Sequence, residues 1–142
     1  MSAQTARLVI VGVLFLHGIA HFGALAAQVM NRLGHETGRW ATARFWLFPS
    51  LAPSTATVVA GVFWVVSAIG FVAAAMSFWG VLLPGELWRQ LSVASAIVSA
   101  VGITLVLGTW PAFNTAAALG VNIAVLVCLL LVHWPPVGLF GK

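Results

Sequence analysis

Residues 90–141 contain no Asp, Glu, Lys or Arg, and this run of 52 uncharged residues constrains the fold more than any other feature of the chain. An α-helix rises about 1.5 Å per residue, and the hydrocarbon core of a bilayer is roughly 30 Å thick. One straight helix of this length would therefore exceed the bilayer more than twofold. The chain must turn back within the run, and Gly108 and Pro111 mark the predicted position of that turn.

The composition of the whole chain indicates that lipid is its solvent. Hydrophobic residues make up 62% of the 142 residues and charged residues 6%, with a mean hydropathy of +1.11. A soluble domain usually carries about 25% charged residues. The net charge of +4 comes with scattered basic residues, which suit anionic headgroups and argue against a nucleic-acid interface. These basic residues are Arg7, Arg32, Arg39, Arg44, Arg89 and Lys142.

The uncharged stretches predict an all-α fold, a four-transmembrane-helix bundle that forms a single membrane domain. Each stretch provides the roughly 20 residues that a crossing helix needs. The connection between the first two spans is the longest, and its aromatic stretch 45–48 predicts a loop that lies in the membrane interface. The domain is 1–142, the predicted spans are about 8–28, 56–79, 88–107 and 112–134, and the interfacial loop is 31–53.

Two histidines in the first predicted helix are the leading candidates for chemistry. His17 and His21 are separated by about one helical turn, so both imidazoles lie on one face and far from either membrane boundary. An imidazole in hydrocarbon is costly unless it has a partner. The pair is therefore predicted to serve as metal ligands, as an axial haem ligand or as a proton-handling pair. Asn122, mid-span in the fourth helix, completes the predicted cofactor-binding set.

The alternative is that the two histidines only hold the bundle together. Asn122 is then their best hydrogen-bond partner, because it lies at a similar depth. Further candidate partners in the third helix are Ser95, Ser99 and Thr104. A haem with two histidine ligands would need His133, which lies too close to the membrane boundary to face His17. A di-iron site is disfavoured, since the chain has no Asp and its two Glu residues lie in predicted loops.

The first and last predicted helices resemble those of a known family. A basic residue begins the stretch 7–18, and a glycine-punctuated apolar run follows it. The stretch 120–123 leads through a Leu/Val run to Trp134 and Pro135. Both segments are similar to those of DoxX-like proteins, which are small four-helix membrane proteins. The resemblance implies a four-span fold and a place beside quinone-linked sulfur oxidation or redox-stress systems, and it carries over no catalytic residue.

These observations predict a small integral membrane subunit with a binding or accessory function. We expect it to hold a lipophilic or redox cofactor, haem or quinone, near His17 and His21, within a bacterial inner membrane. Its expected partners are the lipid bilayer and either other membrane subunits or further copies of the chain. One alternative is a DoxX-like quinone-linked oxidoreductase subunit, and another is a purely structural membrane protein. Whether the protein is an enzyme stays open at this point.

Overall fold

The computed structural model describes residues 2–35, 37 and 41–136, and this part of the chain is helical without a β-strand. Its four long helices, with their short flanking turns, are each apolar enough to cross a membrane. The predicted all-α, four-helix fold is therefore confirmed, and the length and composition of the helices are those of an integral membrane protein. The helices are α1 (Ala3–Arg32), α2 (Pro53–Trp79), α3 (Trp88–Leu105) and α4 (Ala112–Leu126), and a π-helical turn (Val127–Leu131) extends α4.

Local chemistry sets the ends of these helices. The Ser2 hydroxyl accepts a hydrogen bond from the Thr5 backbone N–H at 3.1 Å and so caps the N-terminus of α1. The helix therefore begins at Ala3, before the predicted start of the first span near residue 8. Pro53 suits the first turn of α2, where its missing N–H is not needed. Gly80 ends α2 in a left-handed conformation with φ of 75°, which glycine adopts without a steric penalty.

The helices pack in chain order, α1 on α2, α2 on α3 and α3 on α4. Glycines allow the closest approaches. A methyl group added at Gly18 would lie 3.0 Å from the Ala68 carbonyl oxygen of α2. One added at Gly102 would lie 2.5 Å from the Cβ of Phe63. By comparison, α1 and α4 approach each other little, so the bundle has an open seam between its first and last helices.

Residues 41–52 fold back onto one end of the bundle. The Ala41 N–H donates to the Thr109 carbonyl at 2.9 Å, and the Trp46 indole N–H donates to the Thr104 carbonyl at 2.6 Å. Phe45 is buried against the helices, whereas Trp46 is more than half exposed. An apolar aromatic surface at the end of the bundle suits the predicted interfacial loop. Residues 36 and 38–40 of that predicted loop lie outside the described residues.

Candidate functional site

Four polar side chains from three helices form one hydrogen-bonded chain inside the bundle. We call this set the polar tetrad: His17 and His21 of α1, Ser99 of α3 and Asn122 of α4. The Nε2 atom of His17 lies 3.0 Å from Oδ1 of Asn122. Nδ2 of Asn122 donates to the Ser99 hydroxyl at 2.7 Å, and that hydroxyl lies 2.9 Å from Nε2 of His21. The tetrad thus links α1, α3 and α4.

The tetrad lies deep in the bundle. His17 is 14 residues beyond Ala3, which corresponds to about 21 Å along a helix that is about 45 Å long. The exposed fraction is 8% for His17, 1% for His21 and zero for Asn122. Polar groups at this depth have no water to bond with, so each hydrogen bond within the tetrad satisfies a group that would otherwise be costly.

The geometry gives the hydrogen bonds a direction. Oδ1 of Asn122 is an acceptor, so Nε2 of His17 is the donor in that contact. Ser99 accepts from Asn122, and its hydroxyl can either donate to Nε2 of His21 or accept from it, depending on the tautomer of the ring. We assign the arrangement in which the Ser99 hydroxyl donates, so that His21 is the neutral tautomer with its proton on Nδ1. The chain of donors runs from His17 through Asn122 and Ser99 to His21.

The Nδ1 atom of His21 is the exception in this otherwise satisfied chain. It is buried and has no hydrogen-bond partner among the described residues. A buried N–H donor without an acceptor costs about 1–3 kcal/mol. Such atoms are rare in folded proteins, and this one lies in the middle of a membrane-spanning bundle. His21 therefore presents a donor that an acceptor from outside the tetrad could satisfy.

Aromatic rings surround the two imidazoles. The Phe71 ring of α2 meets the His17 ring edge to face, with centroids 4.7 Å apart. The Trp110 ring lies 5.5 Å from the His21 ring, and Trp64 lies 5.5 Å from Trp110. These rings make the surroundings of the tetrad apolar and aromatic.

The structure brings together all three residues of the predicted cofactor-binding set, His17, His21 and Asn122. Ser99, one of three candidate partners in the third helix, completes the tetrad. His133 is exposed beyond the end of α4 and takes no part in it. Sequence reasoning did not identify the aromatic neighbours, because no spacing rule connects residues on different helices. These neighbours are Trp64, Phe71 and Trp110.

The donor set suits a metal or a haem poorly. Within the described residues, no three side chains of His, Cys, Asp or Glu lie close enough together to hold a metal ion. Nε2 of His17 and Nε2 of His21 both take part in hydrogen bonds within the tetrad. Ligation through either atom would break the chain. The metal role assigned to His17 and His21 stays a prediction, and the arrangement favours a ligand that accepts a hydrogen bond.

A groove on the outside of the bundle approaches the tetrad along the open seam between α1 and α4. It has a volume of about 190 Å³, and its lining is almost entirely apolar. Val13 of α1, four residues before His17, forms one wall. Val121 of α4, the neighbour of Asn122, forms the other. The groove connects the surrounding lipid with the helical turn next to the tetrad.

Two serines of α3 allow a matched test of the tetrad. We expect Ser99→Ala to lower the free energy of unfolding by about 1–2 kcal/mol, since it removes two buried hydrogen bonds. We expect Ser92→Ala to be neutral or stabilising, because the buried Ser92 hydroxyl has no partner among the described residues. Unfolding in mixed micelles with increasing SDS measures both values. Equal losses for the two variants would contradict the hydrogen-bonded role of Ser99.

Comparisons of this chain with protein families, with curated proteins and with solved structures find no match.

Proposed function

We propose that this protein is an integral membrane subunit that binds a lipophilic carbonyl compound of the quinone type at the polar tetrad. His21 donates a hydrogen bond from Nδ1 to the carbonyl of the ligand, and the aromatic rings of Phe71 and Trp110 contact its flat head. Asn122 and Ser99 hold the His21 ring in the tautomer that can donate. The unpartnered Nδ1 of His21 is the observation that carries this proposal.

The tautomer of His21 explains why the ligand is an acceptor. Ser99 satisfies Nε2 and leaves the proton on Nδ1, so the ring offers a donor and no free acceptor. A quinone carbonyl accepts such a bond and needs no charge on the protein. The neutral ring also suits a site built from helices without carboxylates, since α1, α3 and α4 contain no Asp or Glu.

The seam between α1 and α4 provides a route for such a ligand. It is the least closely packed side of the bundle, and its groove is open to lipid. Across the seam, the hydrogen bond between His17 and Asn122 connects the two helices. A lipophile that separates α1 from α4 therefore exchanges one interhelical hydrogen bond for the bond to His21.

A quinone fits these residues better than a haem. A haem iron needs an unprotonated imidazole nitrogen, whereas both Nε2 atoms take part in hydrogen bonds and Nδ1 of His21 carries the proton in the assigned tautomer. A quinone needs a donor, an apolar slot and access from lipid. When bound, it would supply redox chemistry. The residues of this chain would bind and orient it, and exclude water from its carbonyl.

The wider setting is part of the same proposal. The resemblance to DoxX-like proteins favours a redox system in a bacterial inner membrane, in which this chain is an accessory subunit of a larger assembly or pairs with further copies of itself. A purely structural bundle is the second candidate. It is favoured by the hydrogen bonds that already satisfy His17, Ser99 and Asn122.

Infrared difference spectroscopy tests the proposal. The purified protein in lipid nanodiscs would receive decylubiquinone labelled with ¹³C at one carbonyl. We expect the carbonyl band to shift to lower wavenumber on binding, because a hydrogen bond weakens the C=O stretch. His21→Phe keeps an aromatic ring but removes the donor. We expect this variant to lose the shift and to bind about tenfold more weakly, as the loss of one buried hydrogen bond predicts.

His133→Phe is the matched control, since His133 is exposed beyond α4. It should show the wild-type shift and affinity. The same carbonyl band in the wild type and in His21→Phe would contradict the proposed site. A His21→Phe variant that is less stable while the wild type binds no quinone would support the structural bundle instead. A Soret band in the purified protein would support haem.

A further inference from the structure

A second groove lies on the outside of the bundle between α1 and α2, away from the seam described above. Its volume is about 370 Å³, about twice that of the groove at the seam. Apolar side chains form most of its lining, among them Leu25, Val62 and Val65. Gly61 contributes no side chain to it, and Trp64 lies at its inner wall. The groove is therefore open to the acyl chains of the surrounding lipid.

Polar groups occur at the end of this groove where α1 ends and α2 begins. Gln28 donates from Nε2 to the Ala41 carbonyl at 2.8 Å, and Thr57 donates from its hydroxyl to the Pro53 carbonyl at 2.8 Å. The donors of both side chains are thus used within the protein. Arg32 is exposed at the same end and brings a positive charge to the mouth of the groove.

The chain offers little negative charge to this guanidinium. The protein has two acidic residues. Glu86 lies at the opposite end of the bundle, in the turn between α2 and α3. Glu36 lies outside the described residues. Within the part of the chain that the structure describes, Arg32 has no carboxylate partner. Its fixed charge and its forked donors suit a phosphate group.

We propose that this groove binds one acyl chain of an anionic membrane phospholipid, and that Arg32 binds its phosphate. The length of the groove agrees with this occupant. On α2 it extends from Thr57 to Val66, which is about 14 Å along the helix. This is close to half of the roughly 30 Å hydrocarbon core, the depth that one leaflet's acyl chain occupies. The phosphate of such a lipid would therefore lie at Arg32, and its acyl chain would lie along the apolar lining of the groove.

Gly61 is the residue that leaves this space open. A methyl group added there would meet only the Cδ1 atom of Leu25, at 3.6 Å, which is an ordinary van der Waals contact. A leucine at this position would start from that uncrowded Cβ and occupy part of the groove that Gly61 lines. Gly23 of α1 is a matched control, since it is exposed and has no other atom within 4 Å of an added methyl group.

Mass spectrometry of the intact protein with added lipid tests the proposal. The protein in detergent would be titrated with phosphatidylglycerol and, separately, with phosphatidylcholine. We expect one bound phosphatidylglycerol, with about fivefold preference over phosphatidylcholine, as one basic residue near a membrane surface predicts. We expect Gly61→Leu to weaken the binding of both lipids about tenfold through lost packing, and Gly23→Leu to leave it unchanged.

A charge variant on the protein surface tests the headgroup contact separately. We expect Arg32→Gln to remove the preference for phosphatidylglycerol by weakening its binding more than that of phosphatidylcholine, because the quaternary ammonium of choline already offsets the charge of its own phosphate. Arg44→Gln removes the same charge from an exposed loop position outside the groove and should keep the preference. Equal binding of the two lipids by the wild type would overturn the proposal. The proposal would also be wrong if Gly61→Leu and Gly23→Leu bound the lipids equally tightly, because the headgroup would then be bound without an acyl chain in the groove.

His21→Phe separates this site from the quinone proposal. Because the groove does not include the tetrad, we expect this variant to bind phosphatidylglycerol as the wild type does. If the wild type binds no quinone but still prefers phosphatidylglycerol, the proposed function is wrong and the groove proposal is supported. If the wild type binds quinone but shows no preference for phosphatidylglycerol, the groove proposal is wrong and the proposed function is supported.

Discussion

Gly102→Ala is expected to lower the free energy of unfolding by about 1–3 kcal/mol, the range for overpacking a well-packed interior. The added methyl group would lie 2.5 Å from Cβ and 2.9 Å from Cγ of Phe63. These atoms are close to the backbone of α2, so no flexible side-chain end can move aside. The helices α2 and α3 must separate instead, by about half an ångström or more, since real Cβ atoms essentially never come within 3.0 Å of another heavy atom. Unfolding with SDS in mixed micelles, followed by tryptophan fluorescence, measures the loss.

Gly120→Ala is the control for this substitution. Gly120 is exposed on α4, and an added methyl group there meets no atom within 4 Å. Alanine is the better helix former, so we expect unchanged or slightly higher stability. A loss at Gly120 as large as that at Gly102 would mean that glycine serves helix flexibility in general and not the contact between α2 and α3.

Asn122→Leu is expected to destabilise the protein by about 1–3 kcal/mol. The substitution removes the acceptor of His17 and the donor to Ser99, so two interhelical hydrogen bonds are lost at once. Such bonds average about 0.6 kcal/mol each in membrane proteins. The remainder comes from two buried polar groups that lose their partners. This exceeds what the added apolar contacts of leucine return, since lipid already satisfies apolar groups.

A double-mutant cycle distinguishes the hydrogen bond from a general effect of the substitution. We expect His17→Leu and Asn122→Leu to show a coupling energy of about 0.6–1.7 kcal/mol. Asn114→Leu, at an exposed position in the first turn of α4, should have no coupling with His17→Leu. A coupling near zero between His17 and Asn122 would show that the contact across the seam contributes nothing to stability.

The fold could be predicted from the sequence because a bilayer admits few solutions. An uncharged stretch of given length must form a crossing helix in which every backbone group is bonded internally. Depth could be predicted in the same way, since about 1.5 Å per residue puts His17 and Asn122 at similar levels. Their pairing then follows from the cost of an unpartnered polar group in hydrocarbon. The 3.0 Å contact between them agrees with that argument.

Rotation and helix order could not be predicted in this way. The choice of Ser99 over Ser95 as the partner of His21 depends on how far α3 is shifted along its axis, because both serines lie on one face of that helix. The position of Trp110 beside His21 depends on how the turn between α3 and α4 folds inward. Neither is encoded in spacing along one helix. Packing between helices in lipid is decided by small residues and shape, and hydropathy does not report either.

The anchoring of residues 41–52 has a consequence for the order in which the chain can mature. This segment joins α1 to α2, yet two of its hydrogen bonds go to the carbonyls of Thr104 and Thr109, which follow much later in the chain. A ribosome releases the first hairpin into the membrane before those acceptors have been synthesised. Until the C-terminal half arrives, the connection of the newly inserted hairpin lacks these two hydrogen bonds and keeps the one from Gln28 of α1 to the Ala41 carbonyl.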